Sequence, residues 1–134
     1  MLGLASSVSN VGFYFQRVYT NLPAHNYIRF SMNFWAIDSW DQSGHQDGFQ
    51  LYFDGLVLDG WHMSLTDFTY DLCGTSNNAW YEMPRIMISG LIAHTTSTLT
   101  FRVISSLDED SCNESFGFRD VQFIFDRNAA LSSP

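Results

Sequence analysis

Apolar and polar side chains alternate residue by residue through much of this chain, and a period of two belongs to a strand with one face in a core. Between His25 and Ile37 the residues Ile28, Phe30, Met32, Phe34 and Ala36 fall on one side, with Arg29, Ser31, Asn33 and Trp35 on the other. A helix would scatter those apolar residues around its circumference. Val11, Phe13 and Phe15, with Gln16 and Arg17, give an earlier strand. Arg85 to Ala93, Thr98 to Ile104 with Leu99, Phe101 and Val103, and Phe116 to Phe125 with Val121, Phe123 and Phe125 are later runs. Gln50 to Phe53 and Leu56 to Leu58 flank Asp54-Gly55, a pair that supplies positive φ to a two-residue hairpin turn. Asp47-Gly48 and Asp59-Gly60 are read as turns too. No stretch sustains three-and-four spacing with caps at both ends. The expected fold is all-β, an antiparallel, jelly-roll-like β-sandwich of seven to nine strands. Periodicity alone leaves a closed barrel as the competing architecture.

A chain of 134 residues fits one domain, 1–134, with its core over about 11–126. Residues 1–10 and 127–134 read as tails, flexible or held by a partner through strand addition to a sheet edge. The first ten residues lack the basic start and apolar core of a secretory leader. If the chain works outside the cell, it is expected to be a processed or excerpted piece of a longer one. No window approaches the roughly 18 apolar residues of a spanning helix, so no membrane insertion is expected.

Fourteen acidic side chains oppose six basic ones, all Arg, for a formal net charge of −8. Nothing in that balance neutralises phosphates, which sets aside nucleic acid and anionic membranes as partners. Only 15% of residues are charged, while 16% are aromatic. Much of the surface must therefore be neutral or covered, and sugars or neighbouring copies are the candidates for covering it.

Cys73 and Cys112 are the two cysteines, 39 positions apart in turn-like surroundings. Neither has a partner at metal-binding spacing. An even count without an activating base nearby favours a disulfide, which would stabilise by roughly 4 kcal/mol in the chain-entropy model. Two buried free thiols are the alternative. Asn113-Glu114-Ser115 is an N-glycosylation acceptor, which beside a disulfide fits a secretory route.

Asp38, Asp41 and Asp47 lie within ten residues of a loop rich in Gly and Ser. That composition suits a hard cation with six to eight oxygen ligands, in a discontinuous calcium site rather than a helix-loop-helix one. Carboxylates capping backbone amides in an Asp-rich turn would look the same.

Several segments taken together resemble a known class of module: Asn21-Leu22-Pro23-Ala24-His25, Ile37-Asp38-Ser39-Trp40-Asp41, Cys73-Gly74, His94 to Thr100, and Asn113 to Val121. They are similar to β-sandwich modules of large cell-surface and secreted proteins of ciliate-type protists, over residues 20–126. The Asp38-Ser39-Trp40-Asp41 and Glu114 to Val121 elements also resemble bacterial surface-anchored calcium-binding jelly rolls. The resemblance implies an extracellular, non-catalytic sandwich, often repeated in adhesive or coat proteins. It also implies a structural calcium ion held by Asp120, with Glu114, Asp38 and Asp41 as companions. Phe116 stands where that pattern has Trp.

Trp40, Trp61, Trp80 and Tyr81 sit near Gly, Asp and Asn, so they either offer flat faces to sugar rings or close the core and its interfaces. His25, His45, His62 and His94 show no zinc spacing and read as surface or turn residues. No nucleophile motif is present, and Asp108-Glu109-Asp110 reads as a solvated acidic loop rather than a catalytic pair. The expectation is a non-enzymatic extracellular module that self-associates as a subunit of a surface filament or coat. A carbohydrate-binding sandwich is the alternative.

Overall fold

The structure, a computed structural model, describes residues 14–38, 40, 47–62, 83–107 and 114–128. Its seven strands are β1 (Tyr14–Tyr19), β2 (Tyr27–Asp38), β3 (Gly48–Phe53), β4 (Leu56–His62), β5 (Met83–Ala93), β6 (Leu99–Ser105) and β7 (Glu114–Asp126). They form two antiparallel sheets, β1-β6-β3-β4 and β5-β2-β7. Each sheet keeps two open edges among the described pairings, which makes the molecule a sandwich and not a barrel. Only the β3–β4 hairpin stays within one sheet; each other step along the chain crosses to the opposite one, in jelly-roll fashion. Among the described residues no helix is long and apolar enough to cross a membrane.

The core is the set of side chains that alternation turns inward. Ile28, Phe30, Met32, Phe34 and Ala36 of β2 are all at most 2% exposed, and they meet Phe49, Leu51 and Phe53 of β3 and Leu99, Phe101 and Val103 of β6. The Phe34 ring stacks on Phe49 at 3.9 Å and on Phe116 at 5.6 Å. Phe15 against Phe118 at 5.2 Å and Tyr19 against Phe123 at 5.1 Å set β1 over β7. Leu58 reaches within 3.0 Å of where a Cβ on Gly90 would stand, which sets β4 over β5. Burying one such side chain contributes about 1.5–3 kcal/mol, large against a typical net stability of about 5–15 kcal/mol.

Asp54 and Gly55 have φ of 48° and 83° between the register partners Phe53 and Leu56. Positive φ at both central residues is the primed turn that suits a hairpin's twist. The other two Asp-Gly pairs are not hairpin turns. Asp47 is fully buried just before β3, and Asp59-Gly60 lies inside β4. There the register slips between Gln50–Gly60 and Tyr52–Val57, so Leu58 and Asp59 together face Leu51 in a bulge.

A second bulge shapes β7. Ser31 pairs with Gln122 but Asn33 pairs with Arg119, which leaves Asp120 and Val121 opposite Met32. Asp120 takes φ 54°, a left-handed conformation that Asp tolerates better than most residues. The extra residue changes the phase of the strand. Phe116 and Phe118 point inward before it, and Val121, Phe123 and Phe125 pack on the core after it.

The expected tail 1–10 lies outside the described residues, as does 129–134. Arg127, at the start of the expected C-terminal tail, is tied to the approach to β2: its carbonyl accepts Asn26 Nδ2 at 2.9 Å.

Candidate functional site

One end of the sandwich carries a chain of polar contacts linking both sheets. The segment entering β2 supplies His25, the exit of β5 supplies His94, and the β3–β4 turn supplies Asp54. His25 Nδ1 lies 2.6 Å from the Pro23 carbonyl oxygen, His25 Nε2 lies 2.7 Å from His94 Nδ1, and His94 Nε2 lies 2.8 Å from Asp54 Oδ2. Asp54 Oδ1 accepts the Thr100 amide at 2.7 Å, and the Asp54 amide donates back to the Thr100 carbonyl at 2.9 Å. The ring centroids of the histidines are 5.0 Å apart with planes 9° from parallel. With a 2.7 Å nitrogen contact between them, the rings meet edge to edge and in line rather than face to face.

The chemistry of the two ends constrains the donors along this chain of contacts. A carbonyl oxygen only accepts, so His25 Nδ1 donates; an ionised carboxylate only accepts, so His94 Nε2 donates. Two neutral imidazoles would then present bare lone pairs to each other at 2.7 Å. A hydrogen bond at that contact requires a proton on one of the two facing nitrogens. His25 is 5% exposed and the His94 side chain 7%, so the contact is sheltered from water. The Thr96 hydroxyl, 3.3 Å from His94 Nε2, donates to the Thr98 carbonyl at 2.8 Å.

Both histidines lie in connecting segments outside the strands, as the sequence suggests, but their side chains are sheltered and not at the surface. They are 69 positions apart, and no local motif joins them. Strand pairing does it: Tyr27 opposite Ala93 draws the residues flanking β2 and β5 together, and the His94 amide donates to the Asn26 carbonyl at 3.0 Å.

The acids proposed for calcium divide into two places. Asp38 and Glu114 are register partners at one end of β2 and β7. Asp120 is six residues further along β7, roughly 20 Å away at strand rise. One ion cannot touch all of them, so Asp120 does not belong to a site at Asp38 and Glu114. Its Oδ2 accepts Asn33 Nδ2 at 2.8 Å and Arg119 Nε at 3.1 Å. The Arg119 guanidinium in turn lies 5.3 Å from the Trp35 ring centroid. Among the described residues no three His, Cys, Asp or Glu side chains form a metal-binding group. Asp41 lies outside the described residues.

Trp40 is fully buried, crosses Phe34 edge-on at 5.7 Å and donates Nε1 to the Ser115 carbonyl at 2.8 Å. It closes the core and has no face left for a sugar. Trp61 stands in β4 opposite Phe49. Trp80, Tyr81, Cys73, Cys112 and Asn113 lie outside the described residues.

Across the exposed face of the three-stranded sheet, Arg29 Nε donates to Asp126 Oδ2 at 2.8 Å. That hydrogen bond, together with the guanidinium charge and the backbone amides of Asn128 and Arg127, holds the Asp126 carboxyl below its ordinary value against a smaller opposing effect of burial.

No family model matches this sequence, and no curated protein does. Among solved structures the chain is similar to dimeric latent PorU from Porphyromonas gingivalis, with a TM-score of 0.51 and 15% identity. The match covers 90% of this chain and 12% of that one. At such identity the likeness concerns the fold alone.

Proposed function

We propose that this chain is a non-catalytic, extracellular β-sandwich module that acts by contact with neighbouring copies, as a subunit of a surface filament or coat. The observation that carries the reading is the outer face of the β5-β2-β7 sheet. Leu91, Arg29 and Ile124 form one row across it, and Met87 stands beside Asn33 two rows away. Leu91 is 45% exposed, Ile124 54% and Met87 68%. Arg29 on this face is matched by Asp126 and Arg119 by Asp120, so a facing copy meets apolar surface beside paired charges.

The module is of the class found in ciliate-type protist surface proteins, with Cys73 joined to Cys112 and a glycan on Asn113. Calcium binds near Asp38, Glu114 and Asp41. What supports this last point is the placement of Asp38 opposite Glu114, because like charges on directly opposed residues repel unless a cation offsets them.

Sedimentation equilibrium tests the assembly. The wild-type chain is expected to associate with rising concentration, and the double variant Leu91→Lys, Ile124→Lys to stay monomeric with an unchanged melting temperature. A wild-type chain monomeric at every concentration sinks the proposal. Calcium is expected to raise the wild-type melting temperature but not that of Asp38→Asn; no shift at millimolar calcium removes the ion from the account.

A further inference from the structure

The two sheets do not close on each other at the β1 and β7 edges, and the gap between them is a hollow of about 410 Å³. That size falls within the roughly 300–1,000 Å³ of small-ligand sites. Its walls are the rings of Phe15, Tyr19 and Phe118 with Val121, and its polar groups include Arg17 and Asp120.

Arg17 is unusual for where it stands. It shares the inward-facing side of β1 with Phe15 and Tyr19, a position where alternation would place an apolar residue. Its guanidinium carbon lies 5.0 Å from the Tyr19 ring centroid. With fourteen acids in the chain, carboxylates are plentiful, yet Arg17 pairs with none among the described residues. Arg119, at the rim, is already engaged by Asp120 and Trp35. Asp120 in turn uses Oδ2 for both its contacts and leaves Oδ1 without a hydrogen bond among the described residues. Asp120 lines the cleft from the bulge of β7, where its φ is 54°.

We propose that this cleft binds an acidic sugar residue of the uronic acid kind. Arg17 takes the ligand's carboxylate through its two-pronged donor face. The aromatic walls cover the apolar face of the sugar ring. Asp120 Oδ1 accepts a ring hydroxyl, and its charge rejects a second carboxylate at that end. A neutral sugar satisfies Asp120 but leaves Arg17 unpaired; a bare carboxylate does the reverse. The site is independent of assembly, since one copy contains all of it, and it places sugar recognition away from the tryptophans.

The test is an amide chemical-shift titration of the intact chain with glucuronic acid, glucose and acetate. Saturable shifts at Arg17, Tyr19 and Asp120 are expected with glucuronate, at least about tenfold tighter than with glucose or acetate. Arg17→Gln is expected to weaken glucuronate at least tenfold and Arg17→Lys by less, with melting temperatures close to wild type. Glucuronate shifts that do not saturate, that fall elsewhere on the protein, or that are matched by glucose or acetate overturn the proposal. So does full affinity in a folded Arg17→Gln.

Discussion

The contact between His25 and His94 is best tested by a double-mutant cycle, with His25→Leu and His94→Leu singly and together. Removing His94 deletes its hydrogen bonds at 2.7 Å and 2.8 Å and leaves His25 Nε2 buried without a partner. A bond to a charged group is worth about 1.5–3 kcal/mol, and a stranded buried polar atom costs about 1–3 kcal/mol, so His94→Leu should lose about 3–5 kcal/mol. Removing His25 strands His94 Nδ1 and the Pro23 carbonyl, at about 2–4 kcal/mol on the same basis. The double variant strands neither imidazole, so the two losses should overlap by about 1–3 kcal/mol. Urea unfolding followed by tryptophan fluorescence is a suitable assay, because the fully buried Trp40 becomes exposed to water. A coupling under about 0.5 kcal/mol would show that the two rings do not support each other.

Asp126 makes a prediction for acid. Its folded-state pKa is lowered chiefly by the Arg29 hydrogen bond, so its contribution is present above the ordinary carboxylate value of about 3.9 and is lost as pH falls through the lowered one. Asp126→Asn should flatten the acid limb of the stability curve while leaving neutral and alkaline pH dependence alone; an identical acid limb would contradict this. Gly55→Ala meets nothing within 4 Å of its new methyl group but must keep φ near 83°. It should cost about 1–2 kcal/mol from backbone strain alone, read as a lower urea midpoint with the slope unchanged. Gly90→Ala presses on Leu58 at 3.0 Å and should destabilise by about 1 kcal/mol, whereas in a Leu58→Ala background it should stabilise, as Ala generally does over Gly inside a strand. The same sign in both backgrounds would mean that the Leu58 side chain gives way to the new methyl group.

What the sequence discloses follows from how locally each feature is encoded. The buried face of β2 is written in consecutive alternate residues, and Asp54-Gly55 is a turn because two adjacent φ angles decide it. Asp59-Gly60 has the same letters but opposes Gln50 and its neighbours across a bulge, and no property of the dipeptide itself reports that partner. The β7 bulge is legible with closer reading, because Phe116 and Phe118 occupy even positions and Val121, Phe123 and Phe125 odd ones. One residue must be spliced out of phase between them. The histidine pair and the isolation of Arg17 depend on which strands become neighbours, and alternation is silent about pairing. Trp40 misleads for a related reason: an indole beside Asp and Ser looks accessible until the Ser115 carbonyl arrives from β7 to receive its N–H.

The placement of β2 between β5 and β7 also sets a timetable for folding. Its inner face is complete as soon as Ala36 is made, but its partners come much later; Arg29 and Asp126 are 97 positions apart. At about 5–20 residues per second of synthesis, β2 waits on the order of five to twenty seconds for its second neighbour. Until β5 is made, Ile28, Phe30, Met32 and Phe34 form an apolar strand with both edges open, and from then until β7 one edge stays open, the kind of segment that pairs with the wrong chain. Holding that strand out of contact until β7 appears is a task for whatever first meets the growing chain, and slowing synthesis before Glu114 should raise the aggregated fraction more than slowing it after Asp126.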